Sequence, residues 1–399
     1  MNCFKGKNII IGITGGIAAY KICDLIRLLV KDDFNVEVIM TESACQFITP
    51  LTIQTLTGNP VYTELFNLIR ESKIGHISLA EKADCMVIAP ATANTIGKIA
   101  SGVADNLLTT TVLATKAPVL IVPSMNKNMW DNPILQENLK KLSEYYTIME
   151  PAEGLLACGV YGSGKLPDVE DIFEMIKVIL TPKPLKGKRV LVTAGPTIEE
   201  IDPVRFISNY SSGKMGYAIA RVAKRLGADV TLVSGRTSLR KPYGIETFYV
   251  KSAEDMLNKC REFIKDADIL IKCAAVADYK PEKRANQKIK KGSSNKFTLN
   301  LVKNPDILSE LGKSKKRNTV FVGFAAETED VEKNAYKKLT EKKLDMIVVN
   351  DVTEKDSGFE RDTNRVILIT KTGKKPLPLM TKEEVAYNIF EHLLEKSLV

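Results

Sequence analysis

Short apolar runs alternate with helical periodicity along the first half of the chain. Residues 7–13 (KNIIIGI) form one run, which turns on glycines into an amphipathic pattern lasting to about residue 31. Further runs cover 35–40, 84–89 and 118–122, the last two passing into loops of small and polar residues. Apolar runs of this length bounded by turn signals predict buried strands, and the stretches between them predict helices. Strands alternating with helices predict a parallel sheet covered on both faces. After a helical pattern at 171–180 the periodicity breaks. TPKPLKGKR, residues 181–189, holds two prolines, one glycine and four basic residues and reads as an interdomain linker. The pattern then restarts, with strands expected at 189–193, 228–234, 269–276, 319–325 and 346–350 and a helix at 213–226. The expectation is an α/β protein of two doubly wound, Rossmann-like domains with mainly parallel sheets. They cover residues 1–180 and 190–399, joined by 181–189.

Composition narrows the class. With 399 residues, 44% hydrophobic and 26% charged, the chain suits two globular domains and not a disordered, collagenous or coiled-coil protein. No run nears the roughly 18 consecutive apolar residues of a membrane span, and the first residues do not read as a secretory signal. Seven scattered cysteines without a CxxC pair argue against a disulfide framework or zinc ribbon, making a reducing cytoplasm the default. The net charge of +9 is uneven. Residues 1–180 carry 15 Lys+Arg against 19 Asp+Glu (−4), and residues 181–399 carry 42 against 29 (+13). The second half therefore favours an anionic partner: a nucleoside triphosphate, a phosphorylated metabolite or nucleic acid. The plain alternative is a solvated lysine-rich surface.

In open parallel sheets ligands bind outside the carboxyl ends of strands. The first such loop, GITGGIAAY, places Gly15 and Gly16 where backbone can approach a ligand, just before a helix. It is not GxGxxG, because Thr14 stands where the second glycine would be. The second strand ends in Thr41, Glu42 and Ser43. The hydroxyls suit a phosphate or flavin edge, and Glu42 leaves a dinucleotide reading open. Thr92 and Asn94 follow the next strand and read either as ligand donors or as a helix cap. His76 is one of two histidines, the residue type whose imidazole suits proton transfer near neutral pH, although a lone histidine is more often structural. Asn126, in PSMNKNMW, offers a donor and an acceptor, or caps a helix. Cys158 lies in the glycine-rich GLLACGVYGSG. A thiol in such a flap reads as an acid, as an activated nucleophile, or as a buried structural cysteine.

GITGGIAAYK, IGHISLAEKAD, APATANT with ADNLLT, PSMNKNMW and LLACGVYGSGK, in this order, resemble the flavin-dependent phosphopantothenoylcysteine decarboxylases. The resemblance implies a flavodoxin-like, FMN-binding domain that forms a trimer with its flavin site shared between protomers. It implies oxidation of the substrate thiol to a thioaldehyde, so that loss of CO₂ leaves a stabilised enethiolate. On the matching motifs His76 is the base, Asn126 binds the substrate carboxylate, and Cys158 protonates the enethiol. The neighbourhoods of Gly15, Gly16, Thr41, Thr92 and Asn94 hold FMN. One departure stands out: the flap continues Gly164-Lys165-Leu166 where the family pattern is Gly-Arg-Met, keeping the charge and losing the bidentate geometry.

In the second half, Ser-Gly-Lys at 212–214 invites a phosphate-loop reading. It fails, because no glycine stands five residues before Gly213 and Met215 replaces the metal-binding hydroxyl. Ser211, Ser212 and Gly213 still read as an anion cradle or a plain helix cap. Asp278 ends a strand in CAAVADY and is a candidate for ribose, base amine or Mg²⁺. Lys288 lies in the basic stretch 283–296. Lys338 and Lys342 are spaced to share one helix face and reach one phosphate chain. Phe324 reads as a base-stacking or a core residue.

TAGPTIEEIDPVRFISNYSSGKMG, AAVADY, KIKK, KNPDI and GFAAET resemble phosphopantothenate–cysteine ligase, and the fusion resembles the bifunctional enzyme of coenzyme A biosynthesis. The resemblance implies attack of the 4′-phosphopantothenate carboxylate on the α-phosphorus of CTP with Mg²⁺ assisting, then displacement of CMP by the amine of cysteine. Asn209 would stabilise the acyl-cytidylate step and Lys288 would support cytidylyl transfer. Cys273, Ala274, Asp278, Asn304, Pro305, Asp306, Ile307, Phe324, Lys338 and Lys342 would hold CTP together with Lys288, and Asp278 the Mg²⁺. The ligase product, 4′-phosphopantothenoylcysteine, is the decarboxylase substrate. Trimers of one domain and dimers of the other imply a homo-oligomer, a dodecamer in the simplest closure, with no nucleic-acid or membrane partner. The rival readings are a two-domain NAD(P)-dependent dehydrogenase and a nucleic-acid-binding flavoprotein.

Overall fold

A computed structural model of the chain describes residues 4–66, 75–290, 296–313, 315–316, 318–327, 331–351 and 361–399. Ile74, Lys291 and Thr328, at the ends of three sequence motifs, lie outside the described residues, as does 292–295 of the basic stretch. The chain divides into two compact units, Met1–Thr181 and Pro182–Val399.

The first unit is built on a six-stranded parallel sheet. Its strands run, edge to edge, Val61–Tyr62, Asn35–Met40, Asn8–Ile13, Cys85–Ala91, Val119–Pro123 and Thr147–Ile148. Setting aside the edge strand Val61–Tyr62, the order is 2-1-3-4-5, the flavodoxin-like arrangement. The strands read as continuous apolar runs because both faces are covered. Ile10, Met86, Ile88 and Ile121 face the helices Ala93–Ala100, Leu107–Ala114 and Pro133–Ser143. Gly12 is required there, since a methyl on it would fall 2.3 Å from Leu108. On the other side Ile22–Lys31 buries Ile22, Leu25, Ile26 and Leu29, a helical stripe, beside Val169–Leu180. Lys177 is buried in that second helix because Asp32 pairs with it at 2.7 Å and Phe173 lies under its ammonium at 4.3 Å.

The second unit carries an eight-stranded sheet. Its order is Glu246–Tyr249, Asp229–Ser234, Arg189–Ala194, Ile269–Lys272, Val320–Glu327, Met346–Asp351, Val366–Thr370 and Gly373–Pro376. The first six are parallel, and the last two close one edge as an antiparallel hairpin. The strand expected at 269–276 stops at Lys272, and the chain leaves the sheet as a loop. Residues 182–189 are not a loose tether. Leu185, their one large apolar residue, is fully buried in this unit's core, and Lys183 donates to the Arg225 carbonyl at 2.7 Å.

Helix Lys214–Arg225 lies so close to the sheet that a methyl on Gly216 would meet the Ala194 Cβ at 2.5 Å. Its other side packs on the C-terminal helix Lys382–Glu395, which a Thr381–Glu384 capping box starts. Between them Arg225, only 1% exposed, donates to both carboxylate oxygens of Glu383 at 2.8 and 3.1 Å. Breaking a buried pair from one side strands the other charge. Glu383→Gln should therefore lower the stability of this unit by about 3 kcal/mol in chemical denaturation, and a loss below about 0.5 kcal/mol would contradict the assignment.

Candidate active sites

In the first unit the strand order reverses between Asn8–Ile13 and Cys85–Ala91, and the loops leaving these two strands diverge around a cavity of about 510 Å³. Gly15, Gly16, Thr92, Asn126 and Cys158 all line it, with Ile17, Met125, Met129, Leu155 and Leu166 as apolar wall. Thr14, 1% exposed, ties the two loops together: its hydroxyl donates to the Pro90 carbonyl at 2.6 Å and accepts from the Thr92 amide at 3.0 Å. A side chain at Gly15 would run into Ser43, whose Cβ lies 2.3 Å from the position of the added carbon. The hydroxyls anticipated as ligand donors also cap helices here. Thr92 Oγ1 accepts from the Thr95 amide at 3.4 Å and Thr41 Oγ1 from the Ala44 amide at 3.2 Å. The two readings of these residues are compatible, because a capping hydroxyl keeps its own hydrogen for another acceptor.

The far wall is the antiparallel hairpin Ala152–Leu155 with Tyr161–Lys165. Cys158 stands at its turn and is exposed, which removes the reading as a buried structural cysteine. The Asn126 amide donates to the Cys158 sulfur at 3.3 Å while its carbonyl accepts from the Asn128 amide at 2.8 Å. The hairpin is pinned by the Met125 amide, which donates to the Gly164 carbonyl at 2.9 Å. Gly164 has φ +121° and approaches too closely for any side chain. Lys165, where arginine was expected, also lines the cavity.

The second unit has two adjoining cavities at its own reversal point, beside Arg189–Ala194 and Ile269–Lys272. The larger, about 390 Å³, is lined by Gly195, Asn209, Ser211, Gly213, Lys214, Cys273, Ala274 and Lys382. The Asn209 amide donates to the Val276 carbonyl at 3.0 Å, bridging the two loops. The smaller, about 220 Å³, is lined by Asp278, Asn304, Pro305, Asp306, Ile307, Lys338 and Lys342. Lys272, Val276, Phe324 and Ala325 belong to both. The Lys342 ammonium pairs with Asp306 at 2.8 Å. Although burial pushes the Asp306 carboxyl up, Lys342 and the Ser309 amide hold it below its ordinary range. Asn304 donates to the Ala277 carbonyl at 2.9 Å, and its own carbonyl oxygen is buried without a partner among the described residues. Among those residues no three His, Cys, Asp or Glu side chains converge as a protein metal site.

Some anticipated residues lie apart. His76, on helix Gly75–Lys82, does not line the first cavity, and its Nδ1 is buried without a partner among the described residues. Thr41 and Asn94 sit beside that cavity and not on it. Lys288 is exposed on the loop after Tyr279–Pro281 and lines neither cavity of the second unit. That loop is fastened at the next residue. Asp202 accepts from the Ile289 amide at 3.1 Å, and Arg205, paired with Asp202, donates to the Ile289 carbonyl at 2.8 Å. Sequence reasoning missed Lys272, Asn350, Asn364 and Lys382. The last three come from the C-terminal elements, where no motif marked them.

Comparison with known proteins agrees with this division. Residues 2–181 match a family described as "Flavoprotein", and residues 185–396 match one described as "DNA/pantothenate metabolism flavoprotein C-terminal domain". The coenzyme A biosynthesis bifunctional protein CoaBC of Bacillus subtilis is 48% identical, covering 98% of this chain and 97% of that protein. Its counterparts in Vibrio cholerae and Escherichia coli are 46% and 42% identical over 100% and 98% of this chain. They are covered over 100% and 97% of their own lengths.

Thr14 satisfies the buried Pro90 carbonyl and the partly buried Thr92 amide beside the first cavity. Thr14→Val should cost about 2 kcal/mol, read by chemical denaturation, and Thr14→Ser should recover most of it. Equal stability of all three proteins would refute the tie between the loops.

Proposed function

The chain belongs to the family of bifunctional coenzyme A biosynthesis proteins, and from that membership we propose how its two units divide the chemistry. It is both a decarboxylase and a ligase of that pathway. The first unit is a flavoprotein domain, and the flavin is FMN. Gly15, Gly16 and Thr92, with Thr41 and Asn94 beside them, would hold it. The bare glycine edge and the apolar wall, including Ile17 and Leu166, fit a flat ring carrying one phosphate. Bound there, FMN would supply a two-electron sink for oxidation at the thiol carbon of 4′-phosphopantothenoylcysteine and would return the electrons after CO₂ has left.

The chain's own residues handle charge and protons. Asn126 holds the substrate carboxylate until CO₂ leaves. Cys158, held by Asn126 at 3.3 Å, then gives its sulfur-bound proton to the enethiolate carbon. His76 takes the proton of the substrate thiol. It lies off the cavity of its own chain, which supports a trimer in which a second copy supplies it. The exposed Leu155, Val160 and Tyr161 on the hairpin support the same reading.

The second unit ligates 4′-phosphopantothenate to cysteine with CTP. The observation that carries this reading is the pair of adjoining cavities, one bearing Asn209 and the other Asp278, Asn304, Lys338 and Lys342. The acyl substrate occupies the first and the nucleotide the second, the nucleotide reaching past the partition to Cys273 and Ala274, which line the first. The orphan carbonyl oxygen of Asn304 suits a base that presents an amine, as cytosine does. Mg²⁺ would be held by Asp278 and the nucleotide phosphates, the arrangement this ion takes without a protein cage. By its motif Lys288 would offset charge on the phosphates, although it lines neither cavity here, and Asn209 steadies the acyl-cytidylate that the cysteine amine attacks. Dimers of this unit and trimers of the first would close as a dodecamer, and the free cysteines suit the cytoplasm.

Incubation with 4′-phosphopantothenate, cysteine and CTP, followed by mass analysis, should give 4′-phosphopantetheine, CMP and pyrophosphate. ATP in place of CTP should be turned over poorly. Cys158→Ser should lower amine product by about 100-fold or more while the decarboxylated enethiol forms in its place, and Asn209→Ala should stop formation of phosphopantothenoylcysteine. Loss of both activities in both variants would refute the division of labour.

A further inference from the structure

Lys272 ends the central strand Ile269–Lys272, and its side chain lines both cavities of the second unit. It stands on the partition between the space bearing Asn209 and the space bearing Asp278, Lys338 and Lys342. No hydrogen bond or ion pair reaches its ammonium among the described residues, whereas Lys342 is paired with Asp306 and Lys382 donates to the Arg361 carbonyl. Burial, and then the nearby Lys342, hold its ammonium below the ordinary lysine range. A desolvated cation beside Lys342, with Asp306 and Asp278 near it but bonded to neither, is incompletely compensated in the empty protein and gains once an anion arrives. The strand end fixes the backbone from which this side chain reaches both cavities.

Resting on the ligase reading above, we propose that Lys272 is a further catalytic residue of that reaction, its ammonium bridging the substrate carboxylate and the α-phosphate of the nucleotide at the point where they join. The two reactants are both anionic and repel each other. In the step concerned, a carboxylate oxygen forms a bond to the α-phosphorus. The bond from that phosphorus to the bridging oxygen breaks, and its electron pair leaves on pyrophosphate. No proton moves. A cation between the two reactants lowers their repulsion most when they are closest, which is in the transition state. Lys338 and Lys342 line only the smaller cavity and Lys214 and Lys382 only the larger, so Lys272 alone among these lysines touches both.

The test compares the full-length wild type with Lys272→Met and Lys272→Arg in CTP-dependent pyrophosphate release, with kcat and the KM for CTP measured separately. Thermal unfolding is followed in parallel. Lys272→Met should lose kcat by on the order of 100-fold, with the KM for CTP changed less than about fivefold. Lys272→Arg should recover part of the loss by restoring the charge. Lys272→Met should unfold at the same temperature as the wild type or higher, because a cation without a partner has been removed. A kcat within about twofold of wild type, a loss confined to the KM for CTP, or a marked fall in unfolding temperature in both variants would each overturn the proposal. Wild-type protein that released no pyrophosphate from CTP would instead overturn the ligase reading on which it rests.

Discussion

An open parallel sheet leaves a gap wherever its strand order reverses, because the loops from the two strands flanking that point run away from each other. Both units place their cavities in that gap, one beside Asn8–Ile13 and the other beside Arg189–Ala194. The residues that define each site are therefore strand ends and the first turns after them. Thr14 and Thr92 draw one pair of loops together, and Asn209 bridges the other pair. Small residues at the rim leave the backbone bare for a ligand. The packing beneath, with Gly12 against Leu108 and Gly216 against Ala194, keeps the helices seated close to the sheet.

The same architecture serves two different electrostatic tasks. The first cavity has a mostly apolar wall and few charges, which suits an uncharged ring and a reaction that moves electrons. The second unit concentrates cations around its cavities: Lys214, Lys272, Lys338, Lys342 and Lys382 all line them. Burial, then Lys214, pull the Lys382 ammonium below the ordinary lysine range. The asymmetry of charge between the two halves of the chain is thus drawn in part to one place, where polyanionic reactants must be brought together against their repulsion.

Periodicity alone reveals the central parallel strands of both units, because residues such as Ile9–Ile11 and Val190–Val192 form apolar runs that only a two-sided burial explains. The reading does not include the short parallel edge strands Val61–Tyr62, Thr147–Ile148 and Glu246–Tyr249, the edge hairpin Val366–Thr370 with Gly373–Pro376, or the helix Lys382–Glu395. It also takes 181–189 for a linker, since prolines and lysines mask the one leucine that anchors the segment. The loops with glycine and hydroxyl signatures are readable as sites. Asn126 with Cys158, and Asn209 with the loop after Lys272, need the fold to bring them together. Lys272 carries no local signal: a lysine at the end of an apolar strand looks like an exposed residue until the two cavities meet around it.

The most direct measurement of the central claim is a single turnover of the second unit's reaction in the full chain without cysteine. With 4′-phosphopantothenate and CTP alone, the account predicts release of about one pyrophosphate per site and retention of an acyl-cytidylate, which collapses to product and CMP when cysteine is added. Release of pyrophosphate only after cysteine arrives, with no nucleotide-linked acyl species beforehand, would contradict it.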